Sequence, residues 1–352
     1  MAPLPEAADV PSMDGGKQAL ASPLQLNSLR KAIPNEAFVK SALKSSWFMF
    51  FDYAMWGGAT YGIYTLRNSE VWTGLPDWQQ WLATLLFWNV AGFFMWCIFV
   101  VGHDCGHGTF SDSETLNDFI GHITHGSIMV PFYPWQLSHR RHHMYHNHID
   151  KDYSHPWYTP DRLAQPDEGL ARMMHSWGLG GVLRFLFPFY GWAIYLYGMP
   201  DGSHFIPWPE QRMWKESMTA EFTKCIISAV NCLVFFASIF HFCAYDVQTF
   251  AYFYGAPWVL LGWWLVSVTY LQHHNPDTLV YDDEDWKFVD AAFETVDRQY
   301  GFGLDYLHHH ITDGHVAHHL FFTKIPHYNL PIATKVRWRI FHAVHLPWLR
   351  WI

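Results

Sequence analysis

Charge is scarce in this chain. Only 15% of its 352 residues are charged, against about 25% in ordinary soluble domains. Lysine and arginine number 22 and the acids 31, a formal net charge of -9, so there is no basic footprint for nucleic acid. Cysteine is also sparse. The five residues Cys97, Cys105, Cys225, Cys232 and Cys243 are an odd number with no CxxC pair, which excludes a disulfide or cysteine-zinc framework. The N-terminus lacks the charged start and apolar core of a signal peptide, and the Arg- and Ser-rich, acid-poor character of a transit peptide. Residues 1–28, polar and rich in Pro, Gly, Ser and acids, read as a disordered cytosolic tail. No histidine precedes His103, although the chain holds 24.

What is abundant is apolar and aromatic: 50% and 19% of the residues, with 20 Trp and 18 Tyr. Rings of that kind anchor proteins at membrane interfaces. The mean hydropathy of -0.04 is low for a membrane protein, because Trp and Tyr score poorly and polar loops dilute the spans. A hydrocarbon core takes about 20 apolar residues as helix. Four segments qualify: 47–66, 81–101, 225–245 and 257–271. Phe119–Trp135 and Val182–Tyr197 are weaker, interrupted by His122, His125 and Pro131 in one and Arg184 and Pro188 in the other. They read as interfacial or re-entrant helices; the alternative, in which one or both cross, changes the topology.

Orientation follows from basic residues near the spans. Arg30, Lys31, Lys40 and Lys44 precede the first, only Arg67 separates the first two, and the Asp246–Ala256 loop has none. Arg212, Lys215 and Lys224 precede span three; Lys287, Arg298, Lys324, Lys335 and Arg337 follow span four. Both termini are expected in the cytosol. The same map puts nearly every histidine on the cytosolic face, with only His241 toward the lumen. The expected architecture is an all-α integral membrane protein: four transmembrane helices, interfacial helices and a cytosolic histidine cap, over residues 29–340, with a tail at 341–352.

The histidines fall into repeated patterns. His103-Asp-Cys-Gly-His107 directly follows the second span, and continued helix puts both imidazoles on one face. His139-Arg-Arg-His142-His143 and His315-Val-Ala-His318-His319 share i, i+3, i+4 spacing. Imidazole suits Fe, Zn, Cu and Ni. A structural zinc needs four ligands and a catalytic zinc three, so eight convergent rings suit two metals of higher coordination number. His273, at the cytosolic end of span four, is a ninth candidate, because an ionisable residue at a span end is a functional hypothesis by default. His308 and His310 read as surface or supporting residues and His309 is balanced between roles. His122, His125, His146, His148, His155 and His204 are equally open. Asp104, Asp150, Asp152, Asp305 and Asp313 are candidates to accept the second ring N–H of a ligand, Asp313 foremost. Arg140 and Arg141 cannot ligate metal and suit lipid phosphate or an acidic partner.

These stretches resemble the membrane fatty acid desaturases, in particular the methyl-end (omega-3 and delta-12) group. The resemblance is carried by HDCGHGTFSD at 103–112, WQLSHRRHH at 135–143, TYLQHHNPD at 269–277 and HHITDGHVAHHLFFTKIPHYNL at 309–330. DGSHFIPW at 201–208 is similar to the nematode branch. The resemblance spans roughly residues 30–335.

It implies a di-iron centre held by the eight box histidines, with His273 as the counterpart of a further ligand. It also implies oxygen-dependent insertion of a cis double bond into a fatty acyl lipid or acyl-CoA. The two electrons are expected from cytochrome b5 and its NADH-dependent reductase. No HPGG haem motif is present, so the expected donor is a separate protein. The expected location is the endoplasmic reticulum membrane. An apolar tunnel is expected beside Phe93, Phe94, Trp263 and Trp264. HDCGH and HIDKD at 148–152 lean toward omega-3 enzymes, while HPW at 155–157 and FFTKIPHY at 321–328 lean toward delta-12. A related di-iron hydroxylase shares the boxes. A His-rich metal transporter fits poorly, since the spans carry Asp52 and His241 near their ends and no ligands mid-span.

Overall fold

A computed structural model describes residues 26–152, 154, 180–198, 202–206, 219–275 and 278–336. Residues 1–25 of the tail, His155 and the HPW motif, Asp201 and 207–208 of the nematode-like motif, Arg212, Lys215, Asp277, Arg337 and the 341–352 tail lie outside the described residues. The described chain is helical, with one isolated parallel bridge between His148 and Tyr281.

Helix α1, Ala42–Arg67, starts where the Ser41 side chain accepts the Lys44 N–H, which satisfies one of the orphan donors of a helix start. Helix α2, Asp77–His107, follows Pro76 and has Asp77 in its first turn, where a negative charge meets the positive end of the helix dipole. It stops at Gly108, whose φ of +68° favours glycine. At 1.5 Å per residue its 31 residues extend about 46 Å. That exceeds the hydrocarbon core of about 30 Å, which leaves enough length for the turns carrying His103 and His107 to stand outside it.

Helices α3, Glu114–Ser127, and α4, Phe132–Tyr145, follow. The apolar stretch expected at 119–135 is thus split around Pro131. Helix α5, Gly180–Tyr197, contains Pro188 and packs on the last long helix. Helix α6, Thr219–Phe242, ends three residues before the expected limit, because Ala244 and Tyr245 take left-handed φ of 53° and 59°. Helix α7, Ala256–His273, is preceded by a helical turn at Val247–Phe250 and a π turn at Ala251–Gly255.

The expected lumenal loop 246–256 is therefore mostly helix. The Ala256 N–H reaches back to the Ala251 carbonyl, an i→i−5 bond of the π type. This widened turn accommodates Pro257, which lacks an N–H and sits at the start of α7. Helix α8, His315–Phe321, is short.

Among the described residues three helices are long and apolar enough to cross a membrane: Asp77–His107, Glu221–Phe242 and Val247–His273. Helix α1, where the first of the four spans was expected, has 26 residues but includes Lys44, Ser45, Ser46, Asp52 and Thr60. Helix α2 is the centre of the bundle, packed by α1, α3 and α7. Two glycines allow that approach. A Cβ on Gly92 would lie 2.6 Å from the Pro257 carbonyl oxygen of α7, and one on Gly102 2.1 Å from His125 Nδ1 of α3. The outer faces stay apolar: Leu233 and Val234 of α6 and Leu82 and Leu86 of α2 are exposed, as side chains facing lipid would be. All five cysteines are free and buried.

Candidate metal centre

Continued helix brings box one together as its spacing requires: the Nε2 atoms of His103 and His107 are 3.2 Å apart. Box two lies on the second half of α4, with His139 and His143 Nε2 atoms 3.1 Å apart. Box three fills α8, whose start is held by the Val316 N–H donating to Asp297 Oδ1 at 2.9 Å. His318 Nε2 then stands 3.1 Å from His143 Nε2, and His315 Nε2 stands 3.0 Å from His273 Nε2 at the end of α7.

Two adjacent nests result. His103, His107, His139, His143 and His318 offer five nitrogens within 4.8 Å of one another, and His142, His273 and His319 offer three. His315 adjoins the second nest through His273, with its ring centroid 4.6 Å from that of His319. All nine histidines singled out in the sequence are in this cluster. Each HxxHH box is split. Box two sends its i, i+4 pair to the first nest and its i+3 ring to the second; box three does the reverse. The nests touch where the His143 and His319 ring centroids are 4.3 Å apart.

The donor chemistry fits cations. His143 Nε2 faces both His139 Nε2 and His318 Nε2. One ring nitrogen carries either one proton or one lone pair, so it cannot serve both neighbours as an ordinary hydrogen bond. Lone pairs converging on an ion remove the conflict. Two imidazoles on opposite sides of one such ion are about 4 Å apart, the scale of each nest. Among the described residues, His319 has no hydrogen-bond partner for either ring nitrogen. Burial first, then neighbouring rings, lower the His139, His143, His318 and His319 pKa values far below the usual imidazole range, and bring His142 to about 3. These five rings are held in the neutral form at physiological pH, the form that binds metal.

A carboxylate is hydrogen-bonded to one ring and lies near a second. His142 Nδ1–H donates to both oxygens of the buried Asp152 at 3.0 Å. Asp104 Oδ1 stands 3.7 Å from His103 Nδ1. The preference for Asp313 is corrected: it pairs with His310 at 3.1 Å, outside the nine. Asp305 binds the Tyr300 and Gly301 N–H groups and the Thr312 hydroxyl, as a turn cap.

Several other histidines have local partners, while both ring nitrogens of the buried His125 and His204 have no hydrogen-bond partner among the described residues. His308 Nδ1 accepts from Trp96 Nε1, His309 pairs with Asp52, His148 with Asp283, and His122 with Ser228. His146 donates from Nδ1 to the His143 carbonyl at 2.7 Å and so supports α4 beside the second nest. Arg140 is exposed, whereas Arg141 Nε donates to the Lys151 carbonyl. Phe93, Phe94, Trp263 and Trp264, expected beside an apolar tunnel, form an edge-to-face chain, with ring centroids 5.3 Å apart for Phe93 and Phe94, 5.1 Å for Phe93 and Trp264 and 4.9 Å for Trp263 and Trp264.

Sequence reasoning passed over His327, which lies outside any box spacing yet binds Asp104 at 2.8 Å. Asp52 was noted only as a span-end acid. Its signal was an acid buried in an apolar helix, a costly placement that needs a partner.

A fatty acid desaturase family model matches residues 79–351. The chain belongs to the fatty acid desaturases. It is 41% identical over 307 residues to the delta(12) fatty acid desaturase fat-2 of Caenorhabditis elegans, covering 87% of this chain and 77% of that protein. It is 39% identical over 319 residues to the omega-3 fatty acid desaturase fat-1 of the same organism, covering 88% and 72%. The acyl-lipid omega-3 desaturase (cytochrome b5), endoplasmic reticulum, of Arabidopsis thaliana is 34% identical over 322 residues, covering 89% and 75%. The desaturase is an oxidoreductase, and its histidine boxes come together in the two nests described above, which could hold metal ions.

Proposed function

We propose that this desaturase is a di-iron, oxygen-dependent, methyl-end enzyme that inserts a cis double bond into an already unsaturated acyl chain. The observation that carries it is the pair of adjacent imidazole nests, built from three boxes on three helices, in a chain similar to both delta(12) and omega-3 enzymes. His103, His107, His139, His143 and His318 hold one iron; His142, His273, His315 and His319 hold the other. When bound, the metals supply the oxygen activation that an unactivated C–H bond requires, while the protein supplies orientation and exclusion of water. Asp152 fixes the tautomer of His142 so that Nε2 keeps its lone pair for metal. Phe322, its ring 4.5 Å from that of His143, shields the first nest from water.

Helix α1 is the fourth crossing, which leaves both termini and the boxes on the cytosolic side. The electrons come from a separate cytochrome b5 and its NADH-dependent reductase, and the enzyme resides in the endoplasmic reticulum; the donor and compartment in the Arabidopsis relative's name support this reading. An acyl-lipid or acyl-CoA is the substrate.

The primary regiochemical reading is omega-3 insertion into linoleoyl-type chains, supported by HDCGH and HIDKD. The second reading, delta-12 insertion into oleoyl chains, is favoured by the 41% identity to the delta(12) relative. Expression in yeast lacking polyunsaturated fatty acids, followed by gas chromatography–mass spectrometry, separates them. Alpha-linolenate only on linoleate feeding supports the first, and linoleate from endogenous oleate the second. No new double bond with either substrate, in iron-loaded protein, contradicts both and points to a hydroxylase or another substrate.

A further inference from the structure

Outside the nine-ring cluster a second set of buried polar groups runs from helix α1 to His103. Asp52 is 1% exposed on α1, and its Oδ2 lies 2.8 Å from His309 Nε2. A carboxylate buried in an apolar helix is unfavourable unless paired and hydrogen-bonded. His309 reaches it from a loop in which His309 and His310 take left-handed φ of 55° and 57°, conformations that non-glycine residues hold only when their surroundings enforce them. The His309 and His327 ring centroids are 4.8 Å apart, and Phe48 abuts both edge-on at 5.0 and 4.8 Å. His327 then grips Asp104 twice, through its backbone N–H at 3.0 Å and its Nδ1 at 2.8 Å, both on Oδ2. The other oxygen of Asp104 faces His103 Nδ1, the ring nitrogen turned away from His107.

We propose that Asp52, His309 and His327 are positioning residues that hold Asp104, and through it the His103 ring, for the first metal. The inference rests on the di-metal reading of the two nests. Each member fixes the next. Asp52 fixes the His309 ring, which with Phe48 confines the His327 ring. His327 uses Asp104 Oδ2, leaving Oδ1 to face the Nδ1 of His103 at 3.7 Å as a charge partner. Each nest thereby has one ring beside a carboxylate, His142 hydrogen-bonded to Asp152 and His103 facing Asp104. The second column ties α1 to the metal centre. Cys97, whose sulfur is also within ligand reach of Asp52 and His309, donates instead to the Leu307 carbonyl at 3.2 Å.

The test uses full-length protein in nanodiscs loaded with 57Fe. Iron per chain, the Mössbauer spectrum, chelator competition and thermal melting are read for wild type, Asp52→Ala, Asp52→Asn and His327→Ala. Wild type is expected to show two irons. Asp52→Ala and His327→Ala are expected to alter the spectrum of one iron and weaken its binding by about 10- to 100-fold, the usual cost of losing an outer-shell partner. Asp52→Asn, which keeps an oxygen that accepts from His309, is expected to restore the spectrum. Lower melting temperatures with wild-type spectra and iron affinity in all three variants would overturn the inference, leaving the column a structural one. A third metal per chain that disappears in Cys97→Ser would also overturn it. Wild type holding fewer than two metals overturns the di-metal reading itself, and this inference with it.

Discussion

His318 Nε2 stands 3.1 Å from His143 Nε2, across 175 residues of chain. The contact joins box three to box two, and His143 also meets His139. His143→Ala and His318→Ala are each expected to lower product formation by at least about 100-fold, as expected when a metal ligand of a shared centre is lost. Membrane insertion is expected to be unchanged. Product analysis beside a membrane-fraction immunoblot checks this. Full activity in either variant would refute the assignment of that ring.

Asp152 and Asp305 are both buried or half-buried acids near the boxes, but they do different work. Asp152→Ala removes the acceptor of the His142 Nδ1–H and is expected to weaken metal retention by about 10- to 100-fold. Asp305→Ala removes the cap of the 300–305 turn. It is expected to lower the melting temperature with metal content unchanged. Chelator competition and thermal melting on the two variants separate the effects; equal loss of metal in both would contradict the distinction.

Gly92 lets α2 and α7 touch. A side chain there meets the Pro257 carbonyl oxygen at 2.6 Å and Leu260 Cβ at 2.7 Å, neither the end of a flexible chain. Gly92→Val is expected to destabilise by about 1–3 kcal/mol, the usual cost of overpacking. Because α7 carries His273, iron retention falls with it. Wild-type melting and iron content would show that the helices separate at no cost.

The histidine cluster sets a pH dependence in metal-free protein. The folded-state pKa of His142 is brought down to about 3 by burial and His103, and those of His139, His143, His318 and His319 also lie far below 6.5. In the unfolded chain these rings protonate near their ordinary value of about 6.5. Between those limits the unfolded chain binds more protons, so stability rises with pH there and is lost as pH falls below about 6.5. Metal-stripped protein is expected to melt at progressively lower temperature from about pH 6.5 to 5, and at constant temperature above about pH 7.5. A flat profile through pH 6 would mean the rings are solvated.

The site was more legible than the fold. Repeated box spacing states which rings share a helix face, which singled out eight histidines, and the position of His273 at the end of a span singled out the ninth, with no knowledge of long-range contacts. Spacing is silent on which ring goes to which nest, because the splitting of each box depends on how α4 and α8 face each other. Carboxylate support was half legible: Asp104 and Asp152 were found among five candidates, while Asp313, close in sequence to His315, turns to His310 instead. His327 was missed because a lone histidine has no periodicity. Helix ends drifted for local reasons, Ala244 and Tyr245 ending α6 early and the π turn absorbing Pro257. The aromatic residues expected beside a tunnel have the right chemistry for lining or for packing, and composition does not choose between the two roles.

The central claim is that the three boxes and His273 form one centre for two irons. Metal analysis of purified full-length protein, wild type against His143→Ala and His273→Ala, addresses it directly. The account expects about two irons per chain in wild type, with a spectrum of two coupled ions. It expects loss of the first-nest iron in His143→Ala and of the second-nest iron in His273→Ala. One iron per chain in an active wild type, or two irons retained in both variants, would contradict it.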